Sequence, residues 1–226
     1  MITSGNPLSL PAALVAAGIA FAALLTACGN PANTPPPSTA GTGAAANAAG
    51  GCSLPASGLG ENDTKLFAAA GSGDVRGVEQ AIAAGGSVKA LDALKRTALF
   101  AAVFCSQAQV EQLLLDQGAD VNAKDFSGMA PLHAAIVVGD IAAARLLIAR
   151  GANVDIVDAA NRAPLHLAAA TNQTALVDLL LEHRANPQLR DKNGLTPAAL
   201  ASANDHPLVA ATLRKRHDKQ KSMAPN

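Results

Sequence analysis

Residues 97–122 read TALFAAVFCSQAQVEQLLLDQGADVN, a pattern that predicts a short helix, a tight turn and a longer helix that stops at Gly118. The pattern recurs when the chain is shifted by 33 residues, as from Thr64 to Thr97. Self-similarity at a fixed period of this length indicates a stacked array, in which each unit buries its apolar side against the next. The five frames begin at Thr64, Thr97, Ala130, Ala163 and Thr196.

Two short motifs carry a family resemblance. The tripeptide Pro-Leu-His at residues 131–133 and 164–166, and the segment Gly-Ala-Asp-Val-Asn-Ala at 118–123, resemble the ankyrin repeat. The resemblance covers residues 61–217 and implies an all-α ankyrin-repeat solenoid with about five repeats. Each repeat would consist of helix, turn, helix and β-hairpin loop, and the repeats would form a right-stacked, curved array. We expect the repeats to start near residues 62, 95, 128, 161 and 194.

Apolar triplets at the ends of the longer helices predict the core. They occupy residues 113–115, 146–148 and 179–181, and we expect Leu113, Leu146 and Leu179 to line up along one spine. In frame one, Gly77, Gln80 and Ala81 stand where later frames have larger apolar residues. In frame five, the basic residues 214–216 follow where the apolar triplet would otherwise continue, so both ends of the array are predicted to face water. Residues 218–226 form a basic C-terminal tail.

Charge is distributed unevenly along the 226 residues. The chain has 17 acidic and 17 basic residues, so its net charge predicts no attraction to nucleic acid. No charged residue precedes Glu61, which supports a domain boundary near residue 60. Residues 28–60 are rich in Pro, Ala, Gly, Asn, Ser and Thr, and this composition predicts a disordered tether.

The start of the chain has the features of an export signal. Residues 8–27 form an apolar run, followed by Leu-Thr-Ala-Cys at 25–28. This ending resembles the lipobox of bacterial lipoproteins, which implies a signal peptide at 1–27, a lipid-modified Cys28 and anchoring in the cell envelope. Gly29 after the cysteine favours the outer membrane, periplasmic face. Residues 1–9 depart from the signal-peptide pattern because they contain no Lys or Arg, so either the true start lies elsewhere or the amino terminus alone supplies the positive charge. An uncleaved membrane helix with an incidental cysteine is the alternative.

Two further cysteines are present. In an oxidising compartment an even pair suggests a bridge, so Cys52 and Cys105 are predicted to form a disulfide that holds the end of the tether over the first repeat. Closing a loop of that size adds on the order of 4 kcal/mol in the chain-entropy model. Two free thiols are the alternative.

No set of side chains predicts chemistry. His133 and His166 are expected to tie helix starts to neighbouring backbone, and the aspartates that recur at 92, 125, 158 and 191 to begin hairpin turns. A histidine metal pair and a row of cation-binding carboxylates are the alternatives. No zinc pattern, nucleophile set or phosphate loop is found, so we expect no enzyme, no metal and no cofactor.

The resemblance to ankyrin arrays implies protein binding through the hairpin tips and the concave face. One exposed apolar patch on adjoining repeats would mark the interaction site, formed by Leu94, Phe104, Phe126, Met129, Val137 and Val138. The alternative is that Phe104 and Val137 pack between repeats or under the segment around Cys52. We expect a monomer with a protein partner, no nucleic acid, and membrane attachment only through Cys28. The predicted binding residues are Leu94, Arg96, Phe104, Phe126, Ser127, Met129, Val137, Val138, Arg162, Lys192 and Asn193.

Other functional classes stay open at this level. One is an immunity-type inhibitor of a secreted toxin or enzyme, and another is an accessory protein of the envelope or of oxidative-stress defence. A hydrolase or metal-dependent enzyme has almost no support in the residues. An intracellular scaffold would require that the first thirty residues are not the true start of the protein.

Overall fold

The computed structural model describes residues 57–223, all of which belong to the unit Leu54–Asn226. Within these residues the chain forms ten helices and no strand, and the helices pair into five helix–turn–helix repeats. The pairs are α1 (Glu61–Ser72) and α2 (Val75–Ala83), α3 (Ala98–Phe104) and α4 (Ala108–Asp116), α5 (Pro131–Val138) and α6 (Ile141–Ala149), α7 (Pro164–Ala170) and α8 (Thr174–Glu182), and α9 (Pro197–Ala203) and α10 (Pro207–Met223).

The first helix of each later repeat begins with one of two caps. At α3 and α9 the hydroxyl groups of Thr97 and Thr196 accept a backbone N–H three residues on. At α5, where alanine takes the place of threonine, His133 takes over: its Nδ1 accepts the Ala130 N–H at 3.1 Å, and its Nε2 lies 3.0 Å from the Arg162 carbonyl oxygen of the next repeat. Since the acceptor role of Nδ1 leaves the proton on Nε2, each such ring links two repeats.

Both histidines therefore have the structural role that the sequence predicts. His166 repeats the arrangement one frame later, between the Ala163 N–H and the Leu195 carbonyl oxygen. Both side chains are fully buried, and burial lowers the pKa of each imidazole below its ordinary value. The rings are thus neutral hydrogen-bonding links at neutral pH.

A spine of leucines runs between the repeats, at a different position from the one expected. Leu114, Leu147 and Leu180, the middle residues of the apolar triplets, have no exposed surface. Leu113 and Leu146 are only half-buried, so the prediction of a spine along the first residue of each triplet is wrong for these two. Consecutive residues of a helix point about 100° apart, so the three residues of a triplet face different directions. In α8, however, Leu179, Leu180 and Leu181 are all buried.

The two helix rows pack differently. Consecutive first helices (α1, α3, α5, α7, α9) contact one another more extensively than consecutive second helices do. Small side chains allow this approach, since Ala101, Ala102, Ala134, Ala135 and Ala168 are 0–2% exposed.

Backbone turns close each repeat in the left-handed region, as the glycine pattern predicts. Gly118 and Gly151 end the second helices of repeats two and three with φ of 80° and 89°, and Arg184 takes the same place in repeat four at 64°. A non-glycine residue in this conformation costs roughly 1 kcal/mol.

No helix among residues 57–223 has the length and hydropathy needed to cross a bilayer. The apolar run at 8–27, Cys28, the tether up to residue 56 and Cys52 lie outside the described residues. The predictions made for them are therefore still predictions.

Gly128 and Gly194 provide a matched test of how closely the repeats approach. Both have positive φ (77° and 76°), but a Cβ on Gly128 would lie 2.7 Å from the Ala159 nitrogen, whereas a Cβ on Gly194 would meet nothing within 4 Å. We expect Gly194→Ala to lower the free energy of unfolding by about 1 kcal/mol, from backbone strain alone. Gly128→Ala should cost about 2–4 kcal/mol because the neighbouring backbone must also shift. Urea unfolding of the full chain measures both, and equal losses would contradict the close approach.

Candidate functional site: the hairpin tips

Each hairpin loop is closed by an aspartate that binds its own backbone. Asp92 Oδ1 accepts the N–H groups of Leu94 at 2.9 Å and Arg96 at 2.8 Å. The other three loops repeat this bonding: Asp125 accepts from Met129, Asp158 from Ala160 and Arg162, and Asp191 from Asn193 and Leu195. The predicted turn-forming role of these aspartates is confirmed. No cluster of three or more potential metal ligands occurs in the described part of the chain.

A ladder of backbone hydrogen bonds joins neighbouring tips. The Phe126 N–H donates to the Leu94 carbonyl oxygen at 2.8 Å, and the Ala159 N–H donates to that of Ser127 at 2.8 Å. The bond from Lys192 to Ala160 extends the ladder at 3.0 Å. These bonds fix each tip relative to the next, so the tips form one continuous edge of defined backbone.

Several predicted binding residues lie open on this edge. Phe126 is 76% exposed and Leu94 is 50% exposed, on adjoining tips. Leu91, which the sequence analysis did not single out, is 48% exposed in the loop before Asp92. Of the remaining predicted residues, Ser127, Lys192 and Asn193 are exposed, while Met129, Val137 and Val138 are half-buried.

Two predicted residues do not lie on an open surface. Phe104 is 6% exposed, and all the other residues of α3 are buried too. Its ring stacks on Phe100 with 6.4 Å between centroids. Arg96 is 4% exposed, and its Nε donates to Asp92 Oδ2 at 2.8 Å. The expectation that these two side chains would be exposed is therefore wrong. Arg162 makes the corresponding pair with Asp158 but is half-buried.

The tips have more available positive than negative charge. The hairpin aspartates are buried or half-buried and are bonded to backbone, and two of them also pair with Arg96 and Arg162. Lys95 and Lys192, by contrast, are exposed at the tips. Lys124 is exposed just before Asp125, and its Nζ donates to the Val157 carbonyl oxygen at 2.8 Å. The edge consequently offers apolar side chains flanked by lysines. Of these lysines, the sequence analysis singled out only Lys192.

An open groove lies on repeat one, between α1 and α2. It encloses about 640 Å³, and Ala68, Gly77, Ala81 and Ala84 are among its lining residues. Repeat two has Val110 and Leu114 where repeat one has the smaller residues Gly77 and Ala81. This matches the prediction that the first repeat has a softened outer side.

Cys105 ends α3 and is half-buried at the turn before α4. The described part of the chain contains no free cysteine. Cys52, its predicted partner, lies outside the described residues. The pairing of these two cysteines stays a prediction.

These features define a class of protein, a solenoid of helix–turn–helix repeats with hydrogen-bonded hairpin tips. A family model described as "Ankyrin repeats (3 copies)" matches residues 66–158 and 132–223, and the chain belongs to the ankyrin repeat family. Ankyrin repeats generally mediate protein–protein interaction, and proteins built from them are typically non-catalytic. A search of curated proteins finds no significant match.

The cysteine pairing can be checked by alkylating the intact protein without reduction. With Cys28 lipid-modified, a Cys52–Cys105 bridge leaves no thiol to alkylate, and reduction exposes two, which mass spectrometry counts. Cys52→Ser should then leave Cys105 open to alkylation without reduction. Two alkylated thiols in the unreduced protein would contradict the bridge, and a Cys105 that stays blocked in Cys52→Ser would point to a different pairing.

Proposed function

We propose that this chain is a lipid-anchored module of the bacterial cell envelope that binds a partner protein through its hairpin tips and concave face, without chemistry of its own. The observation that carries the binding proposal is the pair Leu94 and Phe126, two exposed apolar side chains on tips joined by a backbone hydrogen bond. The anchor is supported by the sequence at 25–28.

The tips are organised before any partner arrives. Each loop backbone is held by an aspartate and by the neighbouring tip, so little loop entropy is lost on binding. The apolar side chains that project from this backbone are available for contact, and exposed apolar clusters of this kind mark interaction sites. A protein surface with apolar residues is the natural complement.

The lysines narrow the chemistry of the partner. Lys95 and Lys124 flank the apolar pair, and the carboxylates of the same loops are engaged with backbone. A partner surface with acidic residues around an apolar centre would match this arrangement. Charged rims of this kind act mainly on the association rate and on its salt dependence.

The variant Leu94→Asp/Phe126→Asp tests the binding edge. It replaces both exposed apolar side chains with carboxylates, so the affinity for the partner should fall at least about tenfold, by the loss of about 1.4 kcal/mol or more. The partner is first captured from cell envelopes by photo-crosslinking from position 127, on the same tip, and its affinity for the full chain is then measured.

Leu208→Asp is the matched control. Leu208 is 81% exposed on α10, away from the tips, so this change makes the same apolar-to-acidic replacement and should leave the affinity unchanged. Unchanged thermal midpoints for both variants establish that the fold is intact. A double variant that binds as well as the parent chain would place the binding surface elsewhere.

The anchor is tested by Cys28→Ala. If Cys28 is acylated, the parent chain should fractionate with the outer membrane and incorporate labelled fatty acid, because several acyl chains anchor stably. Cys28→Ala should lose the label and show altered processing. Acylation of the variant, or a parent chain recovered without label in the soluble fraction, would contradict the proposed anchor.

A further inference from the structure

A glutamate occupies an apolar position of the inter-repeat core. Glu111 on α4 is 1% exposed. Because the repeats are 33 residues long, the same place in the other repeats is occupied by residues 78, 144, 177 and 210. These are Val78, Ala144, Val177 and Ala210, which are 0–1% exposed. Repeat two therefore has a carboxyl group where every other repeat has an aliphatic side chain.

The carboxyl group of Glu111 is not satisfied by its surroundings. Neither Oε1 nor Oε2 has a hydrogen-bond partner, although both are buried. Leaving a buried polar group unsatisfied costs free energy, and an ionised carboxylate costs more than a neutral carboxyl.

The helices around Glu111 do not supply a compensating charge. α4 packs against α2, α3 and α6. On α2 the charged side chains Arg76 and Glu79 are exposed, α3 has no charged residue, and on α6 Arg145 is exposed. The charged group that acts on Glu111 is Asp140, which caps α6 by accepting the Ala143 N–H at 2.9 Å and is itself acidic.

We propose that Glu111 makes the packing of repeat two against repeats one and three respond to pH, with the neutral carboxyl allowing close stacking and the carboxylate loosening it. α4 contacts the second helices of both neighbouring repeats, so a single ionisation affects two junctions of the array. This pH response does not depend on which partner the hairpin tips bind.

Burial raises the pKa of Glu111 to about 7, and the charge of Asp140 acts in the same direction. A group whose pKa is higher in the folded than in the unfolded chain contributes stability below its unfolded value, here 4.5, and loses it as the pH rises through about 7. The two buried histidines act in the opposite sense. Burial lowers the pKa of His133 and His166, so their contribution is lost as the pH falls below 6.5.

The test compares thermal midpoints of the full chain and of Glu111→Val from pH 5 to pH 8. Valine is the residue of repeats one and four at this position, and the histidines are common to both proteins, so they cancel in the difference. The variant should be the more stable at pH 8, with an advantage about 5 °C larger there than at pH 5. Glu79→Gln, on the exposed side of α2, is the control and should show no pH-dependent difference.

A direct titration separates ionisation from packing. The chain contains four glutamates, and ¹³C labelling of their side-chain carboxyls with Glu111→Gln for assignment identifies the resonance of Glu111. Its midpoint in the full chain is expected near 7. A midpoint below 5, or a stability difference between the parent chain and Glu111→Val that does not change with pH, would overturn the proposal.

Discussion

The stacking of each repeat on its neighbours is the constraint on which the rest of the structure depends. Helices α4, α6 and α8 have only nine residues each, too few to be stable alone in water. Their leucines at 114, 147 and 180 are fully buried because adjoining helices cover them. In such an array stability is approximately a sum of terms for each repeat and each junction. The contacts that hold neighbouring repeats together therefore also determine which side chains are left exposed.

The hairpin tips show how stacking produces a usable surface. The aspartates bond the loop backbone, and the backbone bond from Phe126 to Leu94 fixes two tips in register. Because the aspartates and the main chain supply these bonds, the side chains of Leu94 and Phe126 are not needed to hold the loops. Leu94 and Phe126 can thus be apolar and exposed without weakening the fold, which is the condition for a binding edge on a rigid support.

The repeat period predicted the fold well because it records which residues occupy equivalent places. It located the helix pairs, the turn-forming aspartates and the histidine links. It did not locate the side of each helix that meets its neighbour, so the spine was placed one residue early, at Leu113 and Leu146. Resemblance to a family likewise predicts which positions are equivalent, but it does not predict how the side chains at those positions pack. The resemblance placed Phe104 on the binding face, but it is 6% exposed and its ring stacks on Phe100.

Glu111 shows what motif searching overlooks. Between Val110 and Gln112, a glutamate is what one expects on the exposed side of a helix, and no neighbouring residue suggests a catalytic site. Only comparison with Val78 and Val177 reveals that its place belongs to the core. The physical consequence follows from the nearest-neighbour character of the array. In a compact domain a buried carboxylate is one defect among many contacts, but here it weakens the two junctions of a single repeat, so its ionisation state controls how firmly the two ends of the stack are coupled.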